Sequence, residues 1–110
     1  MDDLREQCRH RYIQGKRQGK QCYRVALAGE HYCQECITQT VVLPLTNSKM
    51  IRVFRYNYDQ RLYYDPEHGF IVAYCNDKST AVGRFHYMSG TIKDLSMRGK
   101  QLASRLGFYV

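Results

Sequence analysis

Four cysteines, Cys8, Cys22, Cys33 and Cys36, constrain this chain more than any other feature. They stand in its first third, spaced C-x13-C-x10-C-x2-C, and the last pair forms a short knuckle in His31-Tyr32-Cys33-Gln34-Glu35-Cys36. A C-x2-C turn presents two thiolates to one ion, and zinc takes four thiolates at about 2.3 Å in tetrahedral geometry. The first forty residues are poor in large aliphatic side chains, so a cross-link or metal is needed to hold them folded. The spacing therefore predicts one structural zinc bound by Cys8, Cys22, Cys33 and Cys36. Such a site is closed, with no open position for water, and so it is a scaffold rather than a reaction centre. His10 and His31 flank the cysteines and are the alternative ligands.

A disulfide framework fits less well. The chain has five cysteines, an odd number, and its first residues show no apolar signal segment. That predicts an intracellular protein, of nucleus or cytoplasm, with reduced thiols. Cys75 follows the apolar run Phe70-Ile71-Val72-Ala73-Tyr74 and reads as a small buried hydrophobe. No run reaches the length of a membrane span, so no membrane partner is expected.

The chain has 110 residues and a formal charge of +7. Four ionised thiolates and one zinc would lower this to about +5. Acidic macromolecules are the expected partners: nucleic acid, DNA or RNA, or an acidic protein surface. The charge is densest where the cysteines begin. Arg9, Arg11, Lys16, Arg17, Lys20 and Arg24 are the candidate phosphate contacts, with Gly15 and Gly19 turning the Lys16–Lys20 loop. Part of this cluster would also balance the negative zinc–thiolate centre.

Beyond residue 40 the chain alternates as short strands do. Strands are expected near 41–45, 50–58, 61–64, 70–75 and 80–88, the last interrupted by Gly83. Asp65-Pro66-Glu67-His68-Gly69 is a strong turn. A helix follows Ser96 as N-cap, buries Leu102, Ala103 and Leu106, and stops at Gly107. A helical lead-in over 1–7, a strand at 23–27 and a helical turn after Cys36 complete the expectation. The fold class is α+β: a zinc-binding module over 1–38, then a small antiparallel sheet with one C-terminal helix over 39–110, packed as one unit. Tyr56, Tyr58, Tyr63, Tyr64, Tyr74 and Tyr87 fall on this sheet among Arg52, Arg55, Arg61 and Arg84. Such a surface stacks single-strand bases or anchors a protein interface. The helix carries Arg98, Lys100 and Arg105 on its outer side. No triad, paired carboxylate or nucleotide loop is recognisable, so no enzyme activity is expected.

Three runs carry a resemblance. Cys8-Arg9-His10-Arg11-Tyr12, the G-K-x-x-G-x-x-C turn from Gly15 to Cys22, and Tyr32-Cys33-Gln34-Glu35-Cys36 resemble the small zinc modules of nucleocytoplasmic large DNA viruses. They are more distantly similar to the plant WRC-type zinc domain. Val82-Gly83-Arg84, Gly90-Thr91-Ile92, Leu95 and Gly107-Phe108 resemble the tail that follows such viral modules. Cys36 stands where many relatives carry histidine. The resemblance implies a non-enzymatic viral zinc protein, nuclear or virion-associated. The function expected is nucleic-acid binding through the basic loop, with a virion-assembly or protein-interaction module on the tyrosine-rich sheet as the alternative.

Overall fold

A computed structural model describes residues 6–13, 15–57, 60–86 and 88–110, the side chain of Asn57 excepted. Residues 1–5, most of the expected helical lead-in, lie outside these, as do Tyr58 and Tyr87. The chain divides into two compact units, Met1–Gln39 and Thr40–Val110.

The first unit is a narrow two-stranded ribbon followed by a knuckle. Isolated bridges pair Gln7 with Val25 and Arg11 with Gln21. Between them, Cys8 N donates to Arg24 O and Cys22 N to His10 O, both at 2.8 Å. This pairing sets a period-2 alternation. Cys8, His10, Cys22 and Ala26 are buried, whereas Gln7, Arg9, Arg11, Gln21, Tyr23 and Val25 are exposed. Gln7 thus belongs to the ribbon and not to a helix. The strand expected at 23–27 shrinks to a single bridge at Val25. A four-residue helix, α1 (Gln34–Ile37), ends the unit. It begins inside the knuckle rather than after Cys36, with Cys33 as its N-cap.

The second unit is an open antiparallel meander of six strands in sequence order. They are β1 (Thr40–Pro44), β2 (Met50–Asn57), β3 (Leu62–Tyr64), β4 (Phe70–Cys75), β5 (Lys78–His86) and β6 (Thr91–Lys93). Pro44 closes β1, an edge strand, where its missing N–H costs no central ladder bond. Helix α2 (Met97–Leu106) follows. Ser96 caps it, its Oγ accepting from Gly99 N at 3.0 Å. Gly107, left-handed at φ 105°, ends it, and Phe108 N donates back to Ala103 O at 2.9 Å.

One face of the sheet buries Leu43, Val53, Phe70, Val72 and Ala81 with Ala103 and Phe108. Leu102 and Leu106 pack against this core, half-buried. Phe70 meets Phe108 edge-on with centroids 5.7 Å apart, a favourable ring geometry. The chain end then runs along β5, where Ala81 N donates to Tyr109 O and Tyr109 N to Ser79 O. Tyr109 covers the stretch of β5 that β6 leaves open, so the strand has few unpaired backbone groups.

Gly83 does not interrupt β5. It is buried in the strand, and a Cβ there would stand 2.8 Å from Ile92 Cγ2 and 3.0 Å from Lys93 O. Glycine is what lets β6 approach. The strand at Thr91–Lys93 was not expected from sequence, because all three residues are exposed and no alternation marks them. Cys75 is exposed at the end of β4, not buried: the apolar run feeds the core only through its first residues.

Candidate metal centre

The ribbon, the knuckle and α1 bring four sulfurs together. Cys8, Cys22, Cys33 and Cys36 are all buried, and their Sγ atoms lie within 4.8 Å of one another. Cys22 and Cys33 Sγ are 3.9 Å apart. Four sulfurs set tetrahedrally about one ion at 2.3 Å stand about 3.8 Å from each other. The four cysteines could thus hold a metal ion, and the Cys22–Cys33 separation matches that of a four-thiolate centre.

The sulfurs arrive in two pairs, each by its own local device. Alternation turns Cys8 and Cys22 to the inner side of the ribbon. Two glutamines then brace the ribbon at these positions: Gln7 Nε2 donates to Cys22 O at 2.8 Å, and Gln21 Nε2 to Cys8 O at 3.0 Å. Each amide thus reaches from the residue before one cysteine to the carbonyl of the other. Cys33 and Cys36 come from one helical turn, in which Cys36 N donates to Cys33 Sγ at 3.5 Å.

Burial raises the Cys8 thiol above its ordinary value and pushes the Cys36 thiol well above it. For Cys33 burial acts the same way, but hydrogen bonds led by Cys36 N–H draw the thiol below that range. Four buried thiolates repel one another, so only a cation among them makes the fully ionised set favourable.

His10 was a candidate ligand and lies instead beside the ligands. It is buried, and its Nδ1 is 3.2 Å from Cys36 Sγ. Burial lowers its pKa to about 4, so the ring is neutral, with Nδ1 within hydrogen-bond reach of the sulfur. Its ring packs on Tyr12 with centroids 4.6 Å apart. His31 is exposed and does not join the sulfur cluster among the described residues. Tyr32, beside the knuckle, is buried.

The six candidate basic residues divide into two sets. Arg9 pairs with Glu6 at 2.9 Å, and Arg24 pairs with Glu35 and lies over the Tyr23 ring. Arg11, Lys16, Arg17 and Lys20 are exposed. Arg11 Nη1 donates to Gly19 O at 3.3 Å and so braces the loop. The loop is closed at its base: Gly19 N donates to Tyr12 O at 2.7 Å and Tyr12 N to Lys20 O at 2.9 Å. Gly15 and Gly19 both take positive φ, 82° and 84°, which other L residues adopt only with strain. Arg17 stands over the Tyr12 ring, 5.8 Å from its centroid.

Of the sheet tyrosines, Tyr64 is buried, while Tyr56, Tyr63 and Tyr74 are half-buried. Arg98, Lys100 and Arg105 on α2 are exposed. Among the described residues no helix is long and apolar enough to cross a membrane.

Comparison with protein-family models, with curated proteins and with solved structures finds no match for this chain.

Proposed function

We propose that the four cysteines bind one structural zinc, and that the ribbon so fixed presents the Lys16–Lys20 loop to nucleic-acid phosphate. The donor set supports zinc over harder cations, since thiolates favour soft or borderline ions. With four thiolates bound, the ion has no open coordination position, and the protein acts by binding rather than catalysis.

The loop carries the nucleic-acid reading. Between Tyr12 and Cys22 stand Lys16, Arg17 and Lys20 and not one carboxylate. All three are exposed, on a loop whose ends are hydrogen-bonded together. A fixed loop spends less entropy on ordering its cations against phosphates. Arg9 and Arg24, already beside carboxylates, contribute less than Lys16, Arg17 and Lys20, with Arg11 flanking them. The motif resemblance extends the proposal to a viral protein of nucleus, cytoplasm or virion.

Salt dependence is the test. Affinity for short duplex or single-stranded DNA should fall steeply with salt. Replacing Lys16, Arg17 and Lys20 together by glutamine should lower the slope of log K against log salt by about two to three. Binding that is flat with salt, or unchanged in the triple variant, contradicts the reading.

A further inference from the structure

A second patch of cations and aromatics lies on the sheet and owes nothing to the loop. We propose that the concavity lined by Val41, Arg55, Arg61, Tyr63 and Tyr74 seats one splayed nucleotide of a single strand, its base on a tyrosine and its phosphate at the arginines. The choice of ligand rests on the nucleic-acid reading above; the site itself stands on different residues.

Register brings the lining together. Val41 pairs with Val53, Arg55 with Tyr63, and Tyr63 with Val72. The lining therefore continues the sheet face that carries the Val53 and Val72 core. The cavity measures about 380 Å³, within the size range of small-molecule sites. Among the described residues its walls hold two guanidiniums and two phenol rings, with the Asp77 carboxylate engaged by the Tyr74 hydroxyl. That is the complement of a base joined to a phosphate: aromatic faces stack bases, and guanidiniums pair with phosphate oxygens.

Two backbone features single out the same place. Arg61 adopts φ 53°, a conformation glycine reaches at less cost, and its carbonyl accepts from Tyr74 N at 3.2 Å. Strand β2 bulges between Arg55 and Asn57, and bulges re-aim side chains next to sites. Tyr74 is held in place from outside, its hydroxyl donating to Asp77 Oδ1 at 3.1 Å. A base stacked within a duplex does not offer its face to such a cavity, whereas an unstacked base does.

The test uses the full metal-loaded chain with a labelled oligothymidylate, a duplex of equal length, and thymidine monophosphate. Arg61→Gly removes the guanidinium while relieving the backbone, so the variant folds; it should weaken oligothymidylate binding several-fold. Tyr63→Leu should weaken it about tenfold and Tyr63→Phe should restore it, as stacking alone requires. Duplex affinity should stay at the wild-type value in all three. The site is overturned if Arg61→Gly binds oligothymidylate like wild type, or if duplex affinity falls equally. Monophosphate binding as tight as the oligomer's overturns the single-strand assignment. Oligothymidylate binding that survives glutamine at Lys16, Arg17 and Lys20 but falls with Arg61→Gly supports the cavity and sinks the loop. The reverse pattern sinks the cavity alone, and no binding of either probe by wild type overturns both.

Discussion

His10 Nδ1 stands 3.2 Å from Cys36 Sγ, inside the ribbon that carries Cys8 and Cys22. Its position follows from the same alternation, since residues two apart on a strand share a face. A sulfur that accepts a hydrogen bond carries less charge onto its metal, and the donor fixes the direction of its lone pairs. On the zinc reading proposed above, His10 donates Nδ1–H to the Cys36 thiolate and acts as a positioning residue beside the four ligands.

Replacing His10 by alanine should lower zinc affinity by about 10–100-fold, as loss of a supporting hydrogen bond does at other metal centres. His10→Asn keeps an N–H near the Nδ1 position and should recover part of the loss. Competition against a chromophoric chelator measures both. Equal affinity in wild type and His10→Ala contradicts this role.

Asp65 is fully buried in the β3–β4 turn. Its Oδ1 accepts from Glu67 N at 3.0 Å and its Oδ2 lies 3.0 Å from His68 Nδ1. Burial nevertheless raises its pKa above the ordinary carboxylate value. A raised folded-state pKa means the protonated form contributes stability at low pH. That contribution is lost as pH rises through the folded pKa. Asp65→Asn has no proton to lose and keeps an oxygen for Glu67 N. Its stability relative to wild type should thus improve as pH rises through that range, read by urea unfolding at several pH values. A difference that is constant with pH contradicts the assignment.

Gly83→Ala should destabilise the sheet unit by about 1–3 kcal/mol, the usual cost of forcing a methyl into packed structure. The Cβ collides with backbone at Lys93 O, which cannot rotate away as a side chain does. Amide exchange at Thr91–Lys93 should rise with it. An alanine variant with unchanged unfolding midpoint and protected β6 amides would show that β6 does not sit this close.

Much of this architecture is legible in the residues, and the failures have physical causes. Periodicity reveals β2 and α2, and a continuous apolar run reveals β4; Ser96 and Gly107 mark the helix ends by their chemistry. Strand β6 carries no such mark, being exposed throughout and held by backbone pairing and by the space Gly83 leaves. The cysteine quartet is visible from spacing alone. Its bracing is not: the two Gln-Cys pairs, Gln7-Cys8 and Gln21-Cys22, become meaningful only once the ribbon register sets them opposite each other. Cys75 was misjudged because an apolar neighbourhood in sequence does not give the depth of the last strand residue. The split of the basic cluster into paired Arg9 and Arg24 and the exposed loop depends on Glu6 and Glu35, whose partners are a matter of three-dimensional placement.

The central claim is that Cys8, Cys22, Cys33 and Cys36 form one zinc centre. Native mass spectrometry of the full chain, purified without chelator, tests it most directly. One zinc per chain is predicted, bound in place of the four thiol protons, and lost on Cys22→Ser with collapse of the ordered signals of residues 6–39. A metal-free chain whose four cysteines are reactive or joined in disulfides, or zinc retained undiminished in Cys22→Ser, contradicts it.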